Sequence, residues 1–173
     1  GDVNFEFNRT YRSNSQYSGD LGYGWAHNYG MRLTRADANT LQWYTNTGRI
    51  ERFVRQADGS YAAPAGYFVR ISGSDTDGWK IREPDGKRYV FNGFTDPNAP
   101  GALAAIVDRH GNRLAMVYGT SGPAAGRLVQ VVDAYDRSYT YNRDAAGRLA
   151  SIADFSGRTV SFTYSPNGDL VKV

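Results

Sequence analysis

The chain has 173 residues, of which 40% are hydrophobic and 14% aromatic, enough for one substantial core and short for two. It contains no cysteine, which excludes a disulfide framework, a thiol nucleophile and a thiolate metal site. The net charge of +3 is carried by 17 Arg and 3 Lys interspersed with acids along the whole length, not by the basic block of a nucleic-acid binder, and no apolar run approaches the roughly 18–20 residues of a membrane span.

Taken in order, the residues predict strands and turns with almost no helix, since no sustained i, i+3, i+4, i+7 apolar pattern occurs. The opening Gly1-Asp2-Val3-Asn4 reads as strand and carries no signal-peptide pattern. Val3, Phe5 and Phe7 fall on one face of that strand, with Asn4, Glu6 and Asn8 on the other. The glycine-rich stretch Gly19–Gly24 is followed by neither a helix pattern nor Lys-Ser or Lys-Thr. That excludes a phosphate loop or dinucleotide site and predicts a tight corner that lets Trp25 insert into the core. Asp58-Gly59, Asp77-Gly78, Asp85-Gly86, Asn92-Gly93 and Asn167-Gly168 supply residues that tolerate positive φ, the chemistry of two-residue hairpins. Tyr89 with Phe91, Leu114 with Met116 and Tyr118, Tyr139 with Tyr141, and Val160 with Phe162 and Tyr164 each alternate with polar neighbours, as strands with one buried face do. Loops are expected at Thr95–Gly101 and Gly119–Pro123. Turn and alternation signals together give about 14 strands.

A repeat organises the second part. Units begin at Gly101, Gly126, Gly147 and Gly168, at intervals of 25, 21 and 21 residues. The first runs from Leu103 through Ile106 and Asp108 to Tyr118, and the second from Leu128 through Val131 and Asp133 to Tyr141. The third runs from Leu149 through Ile152 and Asp154 to Tyr164, and the fourth stops at Val173. The second unit is irregular, with Asp136 where glycine stands in its sisters and a shortened run to Tyr141. Each unit reads as two strands with one turn at Asp-x-x-Gly and another between the Tyr and the next Gly. A lone hairpin is marginal in water, so stability must come from stacked neighbours.

No constellation stands out for chemistry. His27 and His110 are far apart and without ligand spacing, and read as a packed or hydrogen-bonded residue and a turn filler. No Gly-x-Ser-x-Gly elbow marks a serine. The acids fall in turns, where carboxylates bond nearby backbone N–H groups. Trp25, Trp43, Trp79 and the tyrosines are expected to pack mainly in strands, with some left over for a sugar-stacking surface. Accordingly no catalytic, cofactor-binding or metal-binding residue is assigned, no ligand-binding residue is identifiable, and no cofactor is expected.

Gly-Arg-Leu, then Asp-x-x-Gly-Arg, then an aromatic strand ending in Tyr resembles the YD repeat of RHS proteins. Arg9-Thr10-Tyr11, followed by Leu21-Gly22-Tyr23-Gly24-Trp25-Ala26-His27-Asn28-Tyr29, looks like the domain that opens the RHS core. Gly59–Gly66 and Pro84–Phe91 fit the stretch between, so the resemblance covers essentially the whole chain. It implies an all-β fold in which antiparallel strands and hairpin repeats form a curved sheet, part of a YD-repeat β-shell. The expected organisation is an opening β region over 1–95, a loop junction at 96–101 and YD-type hairpins over 102–173. In bacterial members such a shell encloses a toxic C-terminal domain until delivery, often by a contractile secretion machine. In animals similar shells belong to adhesion proteins, and some bacterial members are linked to cell walls or carbohydrate. The implied role is a structural, non-enzymatic shell segment of an exported bacterial protein. Its partners would be the downstream remainder of its polypeptide or an enclosed toxin domain. Self-association through the edge at Val171–Val173 is a further expectation; nucleic acid and membrane insertion are not expected. The alternative is a cell-surface or carbohydrate-binding module without encapsulation. The family's self-cleavage motif resembles Asp-Pro-x-Gly-Leu; the one Asp-Pro here, Asp96-Pro97, is followed by Asn98-Ala99-Pro100, so no catalytic residue carries over.

Overall fold

Strands pair with their chain neighbours almost throughout. In the computed structural model, which describes residues 3–15 and 17–173, the opening region supplies β1 (Arg9–Tyr11), β2 (Ser18–Gly19), β3 (Gly22–Tyr23) and β4 (Trp25–His27), paired as β1-β4 and β2-β3. A four-stranded meander follows: β5 (Arg32–Asp37), β6 (Thr40–Tyr44), β7 (Ile50–Arg55) and β8 (Tyr61–Ala62). The main sheet has nine strands in chain order. They are β9 (Arg70–Ser74), β10 (Gly78–Arg82), β11 (Arg88–Phe91), β12 (Leu103–Val107), β13 (Arg113–Tyr118), β14 (Leu128–Val132), β15 (Ser138–Arg143), β16 (Leu149–Ala153) and β17 (Thr159–Ser161). A last pair, β18 (Thr163–Tyr164) and β19 (Leu170–Lys172), carries the same strand path onward. The nineteen strands among the described residues exceed the expected number because the opening region contains two- and three-residue strands that no alternation pattern can mark.

One turn geometry recurs eight times. At Thr45, Gln56, Glu83, Asp108, Asp133, Asp144, Asp154 and Ser165, the residue's carbonyl accepts the N–H three positions on, and its own N–H donates to the carbonyl four positions on. This is a three-residue loop with a left-handed third residue, not the two-residue hairpin expected from Asp58-Gly59, Asp85-Gly86 and Asn167-Gly168. Only the glycine of each pair has positive φ; the Asp or Asn keeps a negative φ, the cheaper state for an L-residue. Asn92-Gly93 is not a hairpin turn either. It opens the loop to β12, and a Cβ on Gly93 would lie 2.4 Å from the Asp75 carbonyl.

A bulge recurs as well. The pairing register shifts just before Phe91, Tyr118, Arg143 and Tyr164, which lie opposite Leu103, Leu128, Leu149 and Leu170. The turn is therefore already present in the β10–β11 hairpin and the bulge at Phe91, both upstream of the 96–101 loop, and β11 and β12 pair directly across that loop.

The alternating positions build one core. Ile81, Tyr89, Phe91, Leu103, Ile106, Leu114, Met116, Leu128, Val131, Tyr141 and Leu149 of the main sheet bury with Leu33, Leu41, Trp43 and Phe53 of the meander. Backbone bonds from Leu33 N to Gly101 O and from Leu103 N to Met31 O tie the two sheets. Val160, expected on the buried face, is exposed, since β17 is the outermost strand of its sheet.

The expected first strand is a correction. Gly1 and Asp2 lie outside the described residues. Val3–Asn8 is extended and alternates in burial as expected, but it has no ladder. Instead it crosses the apolar face of the main sheet. The Phe5 ring stacks on Tyr139 at 3.7 Å between centroids, and Phe7 meets Tyr141 and Phe162 edge-on. Its polar backbone is satisfied by side chains: Glu6 N donates to the Tyr29 hydroxyl, Asn8 N donates to Asn28 Oδ1, and Asn28 Nδ2 donates to Glu6 O. Burial pushes the Tyr29 hydroxyl up to about 12, so it stays protonated.

Candidate functional site

The corner at Gly19–Gly24 is the β2–β3 hairpin, with Gly19 opposite Gly22 and Asp20-Leu21 at its tip. The residue this corner delivers to the core is Leu21, fully buried, and not Trp25, which is only partly buried against Tyr11. The tip docks on the repeat sheet. Asp20 O accepts from Leu149 N at 3.0 Å and lies 3.2 Å from the Tyr164 hydroxyl. Glycine is required at position 22: φ is 86°, and a Cβ would meet Gly168 O at 2.5 Å.

The carboxylate of Asp20 faces Arg143. Arg143 Nη2 donates to Asp20 Oδ2 at 3.0 Å, and Nη1 lies 2.8 Å from Oδ1, an ion-pair contact off the hydrogen-bond axis. His27, buried on β4, accepts from Tyr29 N at Nδ1, which leaves Nε2 to donate to Asp20 Oδ2 at 3.3 Å. Arg127 adds a looser contact at 3.8 Å. Burial by itself would raise the Asp20 carboxyl, but hydrogen bonds from His27 and Arg143 and the guanidinium charge outweigh it and hold the group far below the usual carboxylate range. Asp20 is therefore ionised and closes a partly buried charge pair 123 residues apart in sequence.

Arg143 corrects the repeat alignment. Tyr118 donates to Leu103 O and Tyr164 to Leu149 O, each at 2.7 Å and each fifteen residues upstream. In the second unit Arg143 takes that place, donating from Nη2 to Leu128 O at 2.6 Å, again fifteen residues upstream. Tyr141, read above as the unit's terminal Tyr, instead shares the inward row of Met116 and Phe162, all buried. The shortening was therefore only apparent. Arg143 lies as far beyond Gly126 as Tyr118 beyond Gly101, a spacing that would have found it; nothing in the sequence marked Asp20.

Asp108, Asp133, Asp144 and Asp154 do turn chemistry. Asp133 Oδ1 accepts from the backbone of Tyr135 and Arg137, and Oδ2 from Arg137 Nε; Asp154 repeats the pattern with Ser156 and Arg158, and Asp144 with Arg148. His110 sits in the Asp108 turn, its Nε2 bonded by Arg109 Nε. Trp43 and Trp79 are core residues. Among the described residues no group of three or more His, Asp or Glu side chains is placed to hold a metal ion. Two open clefts flank the opening region. One of about 410 Å3 lies beneath Val3–Asn8, against Asp85, Lys87 and Asp108. The other, of about 660 Å3, lies between Arg12, Ser15, Tyr17 and Ser18 on one side and the β6–β7 hairpin on the other.

Hairpins of one geometry, stacked edge to edge in chain order and keyed to an opening segment, define an all-β repeat protein. Residues 1–53 match the family described as Domain of unknown function (DUF6531), and residues 123–159 match the RHS Repeat. The chain belongs to the RHS/YD-repeat proteins, and the Asp20–Arg143 pair joins the two matched segments. No curated protein matches it.

Proposed function

We propose that this chain is a structural segment of an RHS-repeat shell that encloses a C-terminal, toxic domain until an exported bacterial protein is delivered. The observation that carries the reading is the recurrence of one turn and one bulge along a sheet that grows strand by strand. Such a sheet extends by adding units, and each unit buries the apolar row of the one before it. The Val3–Asn8 segment covers that row at Tyr139, Tyr141 and Phe162, and the Asp20 lock anchors it at Arg143 and Leu149. The segment's partners on this reading are further repeats of its own polypeptide, paired along the exposed β17 and β19 edges, and the enclosed domain. It carries no catalytic role of its own. The test is limited proteolysis of the parent protein with and without residues 1–173. Deletion is expected to open the shell and expose the C-terminal domain to cleavage. A closed, protease-resistant shell after deletion would overturn the reading.

A further inference from the structure

The cleft between Arg12, Ser15, Tyr17 and Ser18 and the β6–β7 hairpin has a charge composition that the shell reading does not use. Arg32, on β5 opposite Tyr44, lays its guanidinium 4.3 Å from the Tyr44 ring centroid and 5.2 Å from that of Tyr17. The two rings hold it in place, tilted at 6.2 Å from each other. Among the described residues this guanidinium has no ion pair and no hydrogen bond, and its Nε is shielded from solvent. Arg12, whose stem passes over Gly48, and Arg49 reach the same cleft. The one carboxylate in its lining, Glu51, is already bound by Arg49 Nε at 3.1 Å and by the Tyr67 hydroxyl at 2.6 Å. Asp20, the other carboxylate near Tyr17, is committed to Arg143 and His27. Three guanidinium groups thus share one neutralised acid.

A partly buried cation without a counter-charge is costly. A planar guanidinium stacked on aromatic rings is pre-organised for bidentate contact with an oxyanion. The cleft's volume of about 660 Å3 lies in the range of small-molecule sites. We propose that this cleft binds an oxyanion group, sulfate, phosphate or carboxylate, with Arg32 as the central ligand and Arg12 and Arg49 at the rim. The group arrives either as a free ion or as a substituent on a saccharide, and both present the same oxygens.

The test is calorimetric titration of the full chain with inorganic phosphate and, separately, with a sulfated disaccharide. Saturable binding of at least one probe is expected, weakened at least about tenfold by Arg32→Met, since a charge-assisted hydrogen bond is lost. Equal affinity for both probes assigns the site to the free ion; a clear preference for the disaccharide assigns it to a glycan substituent. Arg12→Gln, at the rim of the cleft, is expected to weaken binding about threefold or more through its charge, so the proposal remains testable if Arg32→Met does not fold. Arg113→Gln, an exposed arginine outside this cleft, is the control and should leave binding unchanged. No saturable binding of either probe, or binding insensitive to both cleft variants, would overturn the proposal.

Discussion

Asp136 occupies the left-handed position that glycine fills in seven sister turns, and it is the only non-glycine residue with positive φ among those described, at 59°. An L-residue there costs roughly 1–2 kcal/mol, less for Asp than for most. Glycine relieves that strain but adds unfolded-state entropy. Asp136→Gly is therefore expected to stabilise the chain by about 0.5–1 kcal/mol in urea denaturation. Gly147→Ala is the opposite case. Its φ is 80°, and a Cβ would lie 2.9 Å from Pro123 O and 2.7 Å from Arg127 Nε, so a loss of about 1–3 kcal/mol is expected. If both substitutions destabilise alike, the turns are not equivalent.

The elements are joined by the Asp20–Arg143 pair. Arg143→Tyr would restore the residue type of the sister units, and its hydroxyl could replace the bond to Leu128 O. It would also strip the largely buried Asp20 carboxylate of its closest counter-charge, since Arg127 stands off at 3.8 Å and is well exposed. Removing one partner of a fully buried pair costs about 3–5 kcal/mol; this pair is partly buried, so a smaller loss of about 1–3 kcal/mol is expected, and the variant that looks more regular is the less stable one. The double variant Asp20→Asn, Arg143→Tyr should recover much of the loss, because no charge is then stranded. A double-mutant cycle measures this. Additive effects would show that the opening hairpin is held by Leu21 and the backbone bonds alone.

Across the whole molecule, carboxylates within turns and the lock set the response to acid. The Asn112 side chain and backbone N–H groups hold Asp108 down to about 2, and Ser156 and Arg158 do the same for Asp154. Burial works against Asp133 and Asp144, yet bonds from Arg137 and Arg148 keep both lowered, and Asp20 lies lower still. Folded carboxyls below the unfolded value of about 3.9 stabilise the protein at all higher pH. That contribution disappears as pH falls from about 4 towards 2. Denaturation measured at successive pH values should be flat between 5 and 8 and fall steeply below about 4; a main loss centred above pH 5 would contradict it.

The all-β class, the Asp-x-x-Gly turns and the repeat interval were legible in the sequence because backbone conformation there is dictated by adjacent residues. Period-two alternation and a glycine or Asp at one turn position need no knowledge of what lies across the fold. Three matters needed the tertiary structure. Val3–Asn8 alternates like a strand yet pairs with none, because its apolar side chains gain more on the open face of the sheet than its backbone would at an edge. Leu21 and not Trp25 fills the corner, because Leu21 sits at the hairpin tip that docks on Leu149 and Tyr164, while Trp25 lies on β4 against the exposed Tyr11. Arg143 stands in a tyrosine row because Asp20, over a hundred residues away, supplies the charge that makes burying a guanidinium tolerable. Local sequence thus determined which conformations each segment can take. Long-range burial of apolar surface, and the pairing of charge that must accompany it, decided which segments meet.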